Sequence, residues 1–206
     1  MDNEVDEQVL INLMPLLIEG VARAHGRAVE NAILNGSGSP TGLATFAAEH
    51  VGGRRDISDG DLVSATNLLN MRKEMGKYGL NPADVAYIVS QASYYDLLSD
   101  SAFQTLDEVG NDLAVRVTGT IGAVFGSPVI VSEEFPADNT AGNMCALAVY
   151  TRNYVIPRLR GVQVEQDYEV MNQRRVIVAT QSLGFNEIVA GDGAGNEPSV
   201  KMTFVA

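Results

Sequence analysis

The sequence holds one cysteine, Cys145, two histidines, His25 and His50, and no tryptophan. A lone thiol excludes an internal disulfide framework and any multi-cysteine zinc site, and two histidines leave little with which to build a metal centre. Cations are scarce too. Lys and Arg number 14 against 26 Asp and Glu, a formal charge of −12, and both halves of the chain are acidic. Direct nucleic-acid recognition, which relies on clustered positive charge, is therefore disfavoured. Long apolar runs are missing as well: residues 9–18 are interrupted by Asn12 and Pro15, and 176–179 is far too short, where a bilayer span takes about 20 apolar residues. The first seven residues are acidic where a signal peptide would be basic, so a cytosolic origin is expected.

What is present suffices for a core. Hydrophobic residues make up 46% of the 206 and charged residues 19%, which suits one ordinary domain or two small ones and excludes overall disorder. Over residues 4–35, apolar positions such as Val9, Leu13, Leu16, Leu17, Val21, Ala24, Ala28 and Ala32 recur at spacings of three and four, which predicts an amphipathic helix. Asn3 suits its N-cap, Glu4, Asp6 and Glu7 suit the positive end of its dipole, and Asn35-Gly36 predicts a left-handed stop. Unbroken, such a helix is about 48 Å long, and Pro15 is expected to kink or split it. A helix of that length outruns one compact core, so it must follow a domain edge or reach another subunit.

The run 35–43, Asn-Gly-Ser-Gly-Ser-Pro-Thr-Gly-Leu, ends that unit. A second helix is predicted over 58–78, with a capping box at Ser58 and Asp61 and a stop at Gly79. Asn81-Pro82 reads as a turn, 85–90 as a strand, 90–98 as a helix, and the acidic, aperiodic 100–112 as an exposed loop. Residues 115–118, 127–132 and 144–151 read as short strands, with 136–143 a loop. Over 154–170, Gln163, Glu165 and Asp167 interleave with Arg158, Arg160, Val164, Gln166 and Tyr168, a two-residue period that predicts a half-buried strand or hairpin. Strand-like pieces at 176–179, 185–189 and 200–205 follow, with 191–198 a loop. Helices first and strands afterwards indicate an α+β fold, not a regular βαβ alternation.

Few residues invite chemistry. The glycine-rich run lacks the lysine of a Walker loop and follows a helix where a dinucleotide fingerprint follows a strand, so it reads as a turn. His25 has no partner at helical spacing, His50 beside Glu49 has no marked nucleophile, and Cys145 lies in an apolar run that predicts a buried, inert thiol. On a strand Glu133 and Glu134 would point to opposite faces and serve only as surface charge. Arg152, Arg158, Arg160, Arg174 and Arg175 gather about one hairpin away from Glu165, Asp167 and Glu169. Such alternation of sign suits pairing between subunits, and a solvated hairpin is the plainer alternative.

The order of these pieces carries a resemblance. The long helix 4–34, the turn run 35–43, Leu80-Asn81-Pro82-Ala83-Asp84-Val85-Ala86-Tyr87-Ile88-Val89 leading into a helix, Gly126-Ser127-Pro128-Val129-Ile130-Val131-Ser132 and the arginine-bearing strands downstream together resemble the major capsid proteins of tailed bacteriophages. The resemblance covers almost the whole chain and implies the Hong Kong 97-type fold, with a spine helix, a peripheral domain of residues 1–36 and 148–183, and an axial domain of 37–147 and 184–206. It implies a structural protein and no enzyme, without cofactor, that assembles with itself into pentamers and hexamers of an icosahedral shell enclosing phage DNA. A virion location after assembly in the host cytoplasm goes with it, as do a scaffold and a maturation protease as further partners, without specific nucleic-acid binding or a membrane. The same resemblance places subunit-interface residues at Arg158, Arg160, Glu165 and Asp167, in the turn that meets its copies at threefold positions, and at Gln104, Asp107 and Glu108, in an axial loop. In this family an N-terminal arm and an extended loop precede the spine helix, so a fragment of a longer subunit with weak self-association is expected. Two other readings stay open: an encapsulin-like bacterial nanocompartment shell of the same fold, and a soluble α+β enzyme, whose converging polar pocket these residues do not supply.

Overall fold

The computed structural model describes residues 14–50, 55–56, 63–100, 122–135 and 142–205. Helix α1 (Met14–Asn35) has 22 residues and is about 33 Å long; the start of the predicted helix, with its Asn3 cap, lies outside the described residues. Most of α1 is exposed, and only its last turns, at Ile33 and Leu34, enter a core. The expected left-handed stop does not form, because neither Asn35 nor Gly36 has a positive φ. Gly36 is needed for close approach instead: a Cβ there would collide with the carbonyl oxygens of Ala32 and Pro40. The chain turns back through 36–42, closed by the Gly42 N–H donating to the Gly36 carbonyl at 2.6 Å.

Helix α2 (Leu43–Phe46) leads to β1 (Ala48–Glu49), and β2 (Arg55–Asp56) precedes α3 (Ala65–Glu74). The predicted capping box at Ser58 and Asp61 lies outside the described residues, and the cap of α3 is Ser64, whose hydroxyl accepts from the Asn67 N–H at 3.3 Å. This helix ends before the expected Gly79. Gly76 takes φ +54°, where a side chain is strained and a Cβ would strike the Gly195 carbonyl, so the backbone leaves the helix there. After a 3₁₀ turn (Pro82–Asp84) come β3 (Val85–Val89), α4 (Gln91–Ser99) capped by Ser90, β4 (Ala123–Val124), β5 (Ser127–Val131) and β6 (Met144–Tyr150). The chain continues through β7 (Tyr154–Val155), β8 (Arg158–Glu169), β9 (Arg174–Leu183), β10 (Asn186–Glu187) and β11 (Ser199–Val205). The predicted loop at 100–112, apart from Asp100, the strand at 115–118 and most of the loop at 136–143 lie outside the described residues.

Among the described residues one sheet runs β1–β11–β6–β3–β5–β4, with β2 also pairing β11. Neighbours β11, β6 and β3 are antiparallel, and β3 and β5 are parallel. Strand β6, Met-Cys-Ala-Leu-Ala-Val-Tyr, is apolar throughout because both of its faces are covered. On one face Cys145, Ala148, Tyr87 and Met202 pack against Leu68, Met71 and Met75 of α3 and Leu97 of α4. On the other, Leu147 and Val149 meet Leu34 of α1, Leu43 and Phe185. Cys145 is the expected buried thiol, its Sγ donating to the Met202 carbonyl at 3.2 Å. His50 is buried, with Nδ1 2.7 Å from Glu74 Oε1, and so links the end of β1 to α3.

Candidate intersubunit surface

Strands β8 and β9 form an antiparallel hairpin outside the main sheet. Its root is well fixed. The two-residue strands β7 and β10 pair there, Asn153 donates its side-chain amide to the Val189 carbonyl at 2.8 Å, and its Oδ1 accepts the Val189 N–H at 3.1 Å. The rings of Tyr154 and Phe185 stack with centroids 5.4 Å apart. Burial pushes the Tyr154 phenol up to about 12, and burial then repulsion from Glu197 raises the Glu187 carboxyl. Gly184 lets Pro157 pass closely and donates its N–H to the Pro157 carbonyl at 2.8 Å.

Beyond the root the hairpin is uncovered. Strand β8 was expected to be half-buried, yet every residue in it is exposed except Glu169, which is intermediate. The alternation is present, but no second layer among the described residues lies against it. Leu159 is 88% exposed and Met171, in the turn at 170–173, is 95% exposed. On β9 the residues Ile177, Ala179, Gln181 and Leu183 are partly covered. Gln181, Ser182 and Leu183 line a shallow groove with His25, Val29 and Ala32 of α1, which is where His25 resides.

The register decides which charges share a face. Residues directly opposite one another project to the same side of a two-stranded ribbon. Gln163, Glu165 and Asp167 stand opposite Thr180, Val178 and Val176, whereas Val164, Gln166 and Tyr168 stand opposite Ala179, Ile177 and Arg175. Two register shifts interrupt β8, one between Arg158 and Arg160 and one between Arg160 and Gln163. Each inserts one extra residue, as a β-bulge does. Arg160 therefore faces Ser182 and joins the side of Glu165 and Asp167, while Arg158, opposite Leu183, lies on the other side. The expected cluster is divided accordingly: Arg160, Glu165 and Asp167 share a face, Arg158 does not, and Gln104, Asp107 and Glu108 lie outside the described residues. The turn expected within 158–167 is instead continuous strand, and the reversal falls at 170–173.

Other predicted charges take different roles. Arg152 leaves the hairpin group, because its Nε pairs with Asp84 Oδ1 at 2.8 Å beside the main sheet. Glu133 and Glu134 sit in a turn after β5, so both reach Arg27 of α1, at 2.7 and 3.3 Å. Ser132 donates to Glu30 at 2.6 Å in the same region. This clasp on α1 was not legible beforehand, since a helical arginine and an acidic pair 106 residues apart carry no local signal. The valines flanking the acids, Val176 and Val178, were also missed as part of the surface. Among the described residues no group of three His, Cys, Asp or Glu is placed to hold a metal ion, and no helix is long and apolar enough to cross a membrane.

Comparisons with known proteins agree with the architecture. The chain is 36% identical over 204 residues to the major capsid protein of Escherichia phage T5, an alignment covering 94% of this chain and 44% of that protein, so it spans less than half of that relative's length. A solved structure from Mycobacterium phage Che8 superposes with a TM-score of 0.69 at 15% identity, covering 98% of this chain and 67% of that one. The capsid of an empty GTA particle gives a TM-score of 0.69 at 14% identity, covering 100% of this chain and 70% of that one. At such identities the structures establish the fold, the α+β phage-capsid fold of the Hong Kong 97 type. The model of the phage capsid family matches residues 2–190, and with a match over most of its length the chain belongs to the phage capsid family.

Proposed function

We propose that this chain is a structural, non-enzymatic subunit of a bacteriophage head, a major capsid chain whose copies associate into pentamers and hexamers of an icosahedral shell around phage DNA. Its place is the virion, and a scaffold and a maturation protease are the partners this reading adds. The observation that carries it is the β8–β9 hairpin: in a chain of this family, 12- and 10-residue strands extend from a fixed root with Leu159, Val162, Val164 and Val178 exposed to water. Exposed apolar surface on that scale marks a contact with another protein. In the same reading residues 1–36 and 148–183 form the peripheral domain, supported by the exposed α1 and hairpin. Residues 37–147 and 184–206 form the axial domain, supported by the buried sheet. The acidic balance suits a wall that surrounds DNA without gripping its phosphates.

Electron microscopy of the chain, beside a variant in which residues 163–180 are replaced by an Asn-Gly turn, tests the proposal. No core residue lies in 163–180, so the variant should keep its circular dichroism spectrum. Five- and sixfold rings or closed shells are expected from the unaltered chain and none from the variant. Rings or shells from neither, or equally from both, would refute it.

A further inference from the structure

We propose that Arg160 of one hairpin docks between the acids and the valines on the hairpin of a second copy of this chain. The inference rests on the reading of the hairpin as an intersubunit surface and names what that surface takes.

The charges on this face are separated within the chain. Arg160 lies at the root end and Glu165 and Asp167 toward the tip, four and six steps away along the partner strand, which at about 3.3 Å per residue is roughly 13 and 20 Å. Arg160 forms no ion pair with them or with any other acid among the described residues. Glu165 and Asp167 stand opposite Val178 and Val176, whereas Glu169, nearer the tip, stands opposite Arg174. Carboxylates two positions apart on one face repel one another, and a cation from outside relieves that.

The shape of the acidic end points to the kind of cation. Glu165, Gln166, Asp167 and Glu169 of β8 and Val176 and Val178 of β9 line a shallow groove of about 570 Å³. A lining of carboxylates and valines fits a side chain with an apolar stem and a charged, hydrogen-bonding head, which is the build of arginine. In a chain with 26 acids and 14 cations, the hairpin of another copy supplies such a group on the matching face. The bulge between Arg160 and Gln163 is what brings it there; regular pleating would turn it to the opposite side.

Charge reversal tests the pairing. Arg160→Glu and the double variant Glu165→Arg/Asp167→Arg alter exposed residues and should fold normally by circular dichroism. Each variant alone should self-associate at least about tenfold more weakly than the unaltered chain in sedimentation velocity at low salt. An equimolar mixture should associate about tenfold more tightly than either variant alone, because the altered root of one then meets the altered row of the other. A mixture no better than its components, or Arg160→Glu associating as the unaltered chain does, would overturn the pairing. The two proposals fail separately: variants that form normal shells refute the pairing and leave the shell reading standing. A mixture that associates while the unaltered chain forms neither rings nor shells does the reverse.

Discussion

Strands β6 and β8 are both rich in residues that favour extended backbone, and they end in opposite surroundings. Six of the seven residues of β6 are buried between a helical layer and the cluster around Leu34, Leu43 and Phe185, whereas β8 is exposed over nearly all of its 12 residues. The difference does not come from strand formation, since both pair fully with antiparallel neighbours. It comes from what lies against the faces. A sheet becomes core only where a second layer covers it, and among the described residues nothing covers the outer part of the hairpin. The same alternation that would bury a strand in a sandwich leaves an amphipathic ribbon in water here, which is the basis for proposing the hairpin as an intersubunit surface.

Matched truncations test this contrast most directly. Leu147→Ala removes a fully buried side chain from the sheet and should cost about 3–4 kcal/mol, while Leu159→Ala, on the hairpin, should change stability by less than about 0.5 kcal/mol. Urea unfolding of the two variants measures both, and equal losses would mean that the hairpin is part of the cooperative core.

Where the regions join, Tyr154 provides a pH test. Its phenol stays neutral in the folded chain up to about 12, whereas an unfolded tyrosine ionises near 10. Between those values the folded state holds more protons, so the stabilisation is complete below about pH 10 and is lost as pH rises toward about 12. Tyr154→Phe should flatten that alkaline decline without abolishing it, because burial raises the Tyr87 phenol too. Denaturant titrations between about pH 9 and 11.5 would read the slope, and an unchanged slope would count against the buried root.

The smallest effect is expected at the turn between β4 and β5. Phe125 and Gly126 have φ of +48° and +80°, and phenylalanine is costly in that left-handed region. Phe125→Asn suits a two-residue hairpin turn with positive φ at both positions. It keeps the backbone carbonyl that accepts from Arg72 at 3.1 Å. Thermal unfolding should show a gain of about 0.5–1 kcal/mol, and a loss would show that the half-exposed ring supports the main sheet more than the hairpin contrast allows.

Much of this architecture was legible locally. Apolar runs predicted β3, β5, β6 and β11, Ser90 marked the start of α4, and the placement of Cys145 followed from its neighbours. The helix ends were misplaced where the deciding contact is remote: Gly76 ends α3 because Gly195 and Asn196 pack against it, and Gly36 is required by Pro40 and not by a left-handed cap. The candidate surface was half legible. The signs and positions of Arg160, Glu165 and Asp167 can be read from their order, but not which of them face the same way.

The sequence by itself determined the longer strands β3, β5, β6, β8, β9 and β11, the apolar stripe of α1, the scarcity of metal ligands and the opposed charges at the two ends of β8, because each depends on residues within a few positions of one another. Tertiary structure alone decided that β8 lies in water, that Glu133 and Glu134 clasp Arg27, and that a bulge between Arg160 and Gln163 turns Arg160 to the acidic face. Burial depends on which layer arrives from elsewhere in the chain, and strand register is a property of the pair, set by β9 as much as by β8.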